Sequence, residues 1–180
     1  MKIIRFHFLL SFFMLLPFIG RTQEIPDIPL ISGVVSYTET IDTDLSANEM
    51  YKNLKVWAAT EFDSQQTSFR LDDIDLGKVI FECTVYPYFQ FLGQRRESII
   101  KYVMEVDLKD NRYRYKLNVA EHFHKQTTQT IPELIQIAHK AKKPLTTTRS
   151  YAIKQLWLIN DSALDITESL KNKMVFVDDF

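Results

Sequence analysis

An α+β fold is what the sequence predicts: an antiparallel sheet of about five strands, in the order β-α-β-β-β-β-α-α, with helices packed on one face. Three observations carry it. A helical period with its own capping signal follows a first alternating strand. Two hairpins can be read from turn chemistry and cross-strand pairs. A long apolar stripe of helical spacing then closes the chain.

Gly33 to Ile41, "GVVSYTETI", is the first strand, with Val35, Tyr37 and Ile41 on one parity and Ser36, Thr38 and Thr40 on the other. Ser46 followed by Glu49 makes a capping box, and Leu45 and Met50 occupy the staple positions around it. A helix is therefore expected from Ser46 to about Phe62, with Met50, Leu54, Trp57 and Ala58 on its apolar face. Asp75, Leu76 and Gly77 fit a three-residue turn. That turn pairs Leu71 with Phe81 and Phe69 with Cys83, and sets Arg70 opposite Glu82. In the second hairpin, "VDLKDNRYRYKLNV", a turn at Asp110 and Asn111 sets Leu108 against Tyr113, Val106 against Tyr115 and Met104 against Leu117. Its other face opposes Asp107 to Arg114 and Glu105 to Lys116. The alternation of basic and aromatic residues is thus a half-buried strand whose bases meet acids in their own sheet.

Thr130 and Glu133 make a second capping box, opening a helix of about twelve residues that ends near "HKAKKP". Ala152, Leu156, Ile159, Ala163, Ile166, Leu170 and Met174 then step by three or four, with Ile153, Trp157 and Leu164 widening the stripe. At roughly 1.5 Å per residue such a helix is long enough to cross the sheet.

The first residues set an address. Lys2 and Arg5 precede the apolar run Phe8 to Ile19, which is short for a membrane span and carries Pro17 near its end. Residues 1–22 read as a signal peptide cleaved before Gln23, leaving a single domain, 23–180, with a core at 33–120 and C-terminal helices at 130–175. Cleavage removes three bases and no acid, so the formal net charge falls from −1 to −4. A mildly acidic chain is a poor binder of phosphate backbones, so nucleic acid is not expected as a partner. Cys83 is the single cysteine, which excludes an internal disulfide, and four glycines leave no room for a phosphate-cradling loop.

Four stretches together carry a resemblance: "YTETI", "SANEMYKNLKVWAATEF" with Trp57, "DDIDLGKVI" and "VDLKDNRYRYKLNV". Over Val34 to Val119 the chain resembles the secreted bacterial domain-of-unknown-function family 4468, described as having a TATA-box-binding-protein-like fold. The resemblance implies that fold and an exported address, and no activity. Where family members carry a short glycine-containing connection after the third strand, this chain has "YPYFQFLGQRR".

That segment holds the candidate binding residues. Around Pro87 stand Tyr86, Tyr88, Phe89 and Phe91, more large apolar side chains than one face of an alternating strand can bury. Either alternate members continue the strand into the core, or they form an aromatic lip that meets a partner. The other constellations are weak. His122 and His124 could share a strand face as zinc ligands, but no third ligand stands nearby. Asp72, Asp73 and Asp75 suit a turn better than a calcium loop. Cys83 reads as a core side chain, and the acceptor motif at Asn160 falls inside a helix. No metal, cofactor or catalytic activity is expected. The chain reads as an exported binding or structural domain of the bacterial periplasm or cell envelope, contacting an unknown protein. Its rival is a carrier holding a small apolar ligand between the sheet and the C-terminal helix. Membrane-surface contact through Lys140 to Lys143 is a weaker alternative, and hydrolysis by His122 or His124 a remote one.

Overall fold

Two strands open the structure: β1 (Leu30–Ile31) and β2 (Val34–Asp42), joined through Ser32 and Gly33 at φ 53° and 82°. The computed structural model describes residues 24–63, 65–124, 129–140 and 146–175. The expected leader at 1–22 and the basic residues Lys142 and Lys143 lie outside that set. α1 (Ala47–Glu61) begins at the predicted capping box, with Ser46 Oγ accepting from Glu49 N and Glu49 accepting from Ser46 N. Then come β3 (Thr67–Asp73), β4 (Lys78–Val85), β5 (Tyr88–Phe91), β6 (Gln94–Lys109) and β7 (Arg112–His124). Two further helices follow among the described residues: α2 (Ile131–His139), capped by Thr130 and Glu133, and α3 (Thr147–Lys173), capped by Thr146.

The sheet is antiparallel throughout, in the order β1-β2-β7-β6-β4-β3, with β5 pairing on β6. Among the described residues it has seven strands, against about five expected. The two additions are short: β1 is two residues long, and β5 is the aromatic segment past Pro87. All three helices gather on one face. Val35, Tyr37, Phe81, Cys83, Tyr102, Met104, Tyr113 and Leu117 meet Met50, Leu54 and Trp57 of α1 and the stripe Ala152 to Leu170 of α3. The predicted facing of both helices holds, with Met50, Leu54, Trp57, Ala58 and Phe62 all buried. Trp157 and Leu164 do not join the α3 stripe. They stand on its exposed flank, and Trp157 Nε1 donates instead to the Glu24 carbonyl at 2.9 Å.

Hydroxyls fasten the sheet to α3. Tyr37 donates to Asn160 Oδ1 at 3.1 Å, and the Tyr102 oxygen lies 3.1 Å from the Ile159 carbonyl and 2.8 Å from Ser162 Oγ. Trp57 Nε1 donates to Ser169 Oγ at 3.0 Å and ties α1 to the same helix. These bonds satisfy polar groups that the meeting of the layers buries.

The β6–β7 register is the predicted one over Met104 to Leu117, with Asn111 at φ 64° in the turn. The β3–β4 register is not. Phe69 lies across from Phe81 and Thr67 across from Cys83, and Leu71 faces Ile80, so Arg70 is an extra residue in a bulge. The cause is local. Asp73 Oδ1 accepts from Leu76 N at 2.9 Å and starts the turn early, making a four-residue connection, Ile74 to Gly77. The bulge also turns Asp72 toward α1, where Tyr51 Oη and Lys55 Nζ donate to its two oxygens at 2.9 and 2.5 Å. The expected Arg70–Glu82 ion pair survives the change.

Candidate functional site

The aromatic segment is the far half of one long hairpin. Val85 lies across from Ile100 and Tyr88 across from Glu97, three residues further along both strands, so β5 keeps the register of β4. Pro87 interrupts the ladder because it has no N–H, yet its carbonyl still accepts from Ser98 N at 2.9 Å. Leu92 and Gly93 close the hairpin at φ 50° and 73°.

An unbroken register means unbroken parity, and parity divides the four candidate residues. Phe89 and Phe91 continue the face of Val79, Phe81 and Cys83. They are half-buried and stack on Tyr151 in α3, at centroid distances of 5.5 and 5.0 Å, and on each other at 6.4 Å. Burial pushes the Tyr151 phenol up, opposed by Gln155 and by the nearby Arg96 charge. Tyr86 and Tyr88 take the other parity and reach the helix-free face, 56% and 52% exposed. The four residues therefore form two sites: a clamp under α3 and an exposed pair on the opposite side.

The exposed pair has a neighbour that sequence reasoning missed. Ile99 of β6 pairs with Phe123 of β7, and the hairpin register sets Tyr86 across from Ile99 on its other side. Tyr86, Ile99 and Phe123 thus form one row across three strands, with Phe123 50% exposed. Regular alternation from Tyr113 and Leu117 would have sent Phe123 into the core. The register shift that pairs Lys101 with Glu121 and Tyr102 with Val119 leaves Ala120 extra and reverses the facing beyond it. Nothing in the local sequence announces that bulge. Beside Phe123 a cleft of about 410 Å³ opens between the start of β2, the end of β7 and the beginning of α2.

Several charges on this face are paired. Arg95 stacks over the Tyr88 ring at 3.9 Å and approaches Glu97 at 3.4 Å. Lys101 meets Glu121 at 2.7 Å and the Phe123 ring at 5.5 Å. Nearer the opposite end, Arg112 is held by Asp42, Arg114 by Asp107, and Lys78 by Asp107 and Glu105.

The remaining constellations stay apart. The same bulge turns His122 toward the helix side, across from Ile100, while the His124 side chain lies outside the described set. Among the described residues no three His, Cys, Asp or Glu side chains come together as a metal site. Asp72 serves α1, Asp73 the turn, and Asp75 is exposed, so the three do not converge. Cys83 is buried, and its thiol is pushed up to about 12 by burial, which keeps it protonated and unreactive. Asn160 is buried and holds Tyr37, so it is no surface acceptor. Among the described residues no helix is long and apolar enough to cross a membrane.

Among the described residues the antiparallel sheet carries its helices on one face and none on the other, and solved structures share this fold. The structure of a TBP-like protein from Parabacteroides distasonis matches it with a TM-score of 0.55 at 15% identity, covering 81% of this chain and 97% of that one. A second, of a DUF4468 family protein from Bacteroides ovatus, gives 0.61 at 14% identity, covering 85% and 93%. Residues 37–148, more than half of the chain, match the model of the domain of unknown function DUF4468 with TBP-like fold, and the chain belongs to that family. No curated protein matches it.

Proposed function

We propose that this is an exported, non-catalytic binding module of the bacterial periplasm or cell envelope, and that it meets a protein partner through the aromatic end of its bare sheet face. The observation that carries this reading is the contiguous exposure of Tyr86, Tyr88 and Phe123 on a face that none of the described helices covers. Tyrosine, phenylalanine and arginine are enriched at the buried centres of interfaces, and this cluster brings all three together. The carrier reading has less support. The layer between sheet and α3 is filled by Tyr102, Met104, Leu117, Leu156, Ile159 and Ala163, each fully buried. Paired bases on the bare face likewise favour a protein over nucleic acid.

The test is the double substitution Tyr86→Ser with Tyr88→Ser. Both side chains are exposed, so stability should stay within about 0.5 kcal/mol of the parent. A covalent adduct formed by a photocross-linker at Phe123 in living cells should disappear in the double variant. Persistence of the same adduct overturns the reading, and a lipid retained in native mass spectra of the extracted protein would restore the carrier. For the exported address, N-terminal sequencing of envelope material should begin at Gln23.

A further inference from the structure

The geometry points to β-strand addition as the mode of binding: the edge of β5, left open among the described residues, takes an extended, acidic polypeptide segment, which continues the line of β3. This rests on the aromatic end of the sheet being the contact surface, and it goes further by naming the backbone groups that bind and the form of the partner.

Three hydrogen bonds fix which way the backbone groups point. Ser98 N donates to the Pro87 carbonyl, so odd-numbered positions of this hairpin strand turn toward β6. Thr84 N donates to the Gln66 carbonyl at 2.9 Å, away from β6 and toward the β3 side. Lys154 Nζ donates to the Gln90 carbonyl at 2.8 Å, again on the side away from β6. Even-numbered positions therefore face outward, and Tyr86 and Tyr88 lie between the two that are engaged. β3 stops short of them: its first residue, Thr67, pairs with Cys83, and β5 pairs with β6 alone. Beyond Thr67 the slot beside Tyr86 and Tyr88 is lined by no described strand. Such an edge templates another chain unless it is blunted. Pro87 does not blunt it, because its missing N–H lies on the β6 side.

Side chains and charge specify the guest. Tyr86 and Tyr88 flank the slot on the bare face, and the Phe89–Phe91–Tyr151 clamp flanks it on the helix side. A strand laid there sends alternate side chains to two aromatic surfaces, the arrangement that gives strand addition its specificity. Arg95, Arg96 and Lys154 stand around β5 against one hairpin carboxylate, Glu97. That local excess of positive charge, in a chain of formal net charge −1, complements acidic side chains.

The probes are three fluorescein-labelled peptides of alternating valine and glutamate, alternating valine and lysine, and the glutamate sequence with alternate amides N-methylated. The full chain should bind the first about tenfold more tightly than the other two by fluorescence anisotropy. Hydrogen exchange should slow at the Tyr86 and Tyr88 amides when it binds. Tyr88→Pro removes one outward N–H and should abolish binding, whereas Tyr88→Ser keeps that N–H and should only weaken it. Far-ultraviolet circular dichroism confirms that both variants fold. Equal binding of the N-methylated peptide, protection elsewhere, or equal effects of the two substitutions would overturn strand addition. So would absence of binding. If the adduct at Phe123 still depends on Tyr86 and Tyr88, strand addition alone falls; if that dependence is also missing, the contact surface falls with it.

Discussion

Trp57 shows how one side chain can join three elements. Its ring meets Phe62 edge-on at 5.5 Å and Phe81 at 6.1 Å, and its Nε1 reaches Ser169 on α3. Trp57→Ala should cost about 3–5 kcal/mol in the denaturant midpoint, the range for removing a large aromatic from a core. Tyr102→Phe deletes one hydroxyl between the Ile159 carbonyl and Ser162, and should cost about 1 kcal/mol. Asp107 makes a prediction about pH. Burial pushes its carboxyl up, but hydrogen bonds from Arg114 and Lys78 outweigh that and hold it below the ordinary aspartate range. A folded value below the unfolded one means that its stabilisation is present above the unfolded value and is lost as pH falls through the folded one. The stability gap between the parent and Asp107→Asn should therefore be full near neutral pH and close in acid. Urea midpoints measured across that range decide it, and a gap independent of pH would sink the assignment.

Elements in this chain are set by short local signals, and hairpins by a few residues each. Gly77 is the sharpest case. It sits at φ 61°, and a Cβ there would stand 2.4 Å from the Leu108 carbonyl oxygen, while Leu108 N donates to its own carbonyl. Gly77→Ala should lose at least about 1–2 kcal/mol from the left-handed conformation alone, with the clash added. Thermal unfolding of that variant tests it. At the other hairpin, Phe89→Ser with Phe91→Ser removes the stack on Tyr151 and should destabilise the fold, unlike the tyrosine pair; an unmoved midpoint would place the clamp in solvent. Both capping boxes, the α1 face, the α3 stripe and the β6–β7 register were legible because each depends on residues close in sequence or on a two-residue turn. The bulges at Arg70 and Ala120 were not. The first follows a turn that Asp73 starts early, and its use shows only in space, where Asp72 reaches Tyr51 and Lys55; the second inverts the facing at the end of β7. The candidate site depended on them, so its composition was visible in "YPYFQF" while the row through Ile99 and Phe123 was hidden.

At the scale of the whole molecule, the bare face is divided into a charge-paired half beside the turns and an aromatic half at the far end. The division follows from strand length, because among the described strands the β4–β5 and β6 hairpin runs on past the end of β7 and carries Tyr88 with it. The chain order that builds this sheet also has a consequence in time. β2 is made early and pairs with β7, Ser36 finding Asn118 and Ile41 finding Tyr113, so it must wait for most of the domain to be synthesised. Local hairpins close within microseconds, whereas that long-range closure bears the entropy of the whole intervening loop. Pulse-labelling during refolding should find the β6–β7 amides protected before those of β2. Until the last hairpin offers its edge, the long side of "VVSYTET" has no mate, and a cell producing this protein must keep that segment from pairing with its copies.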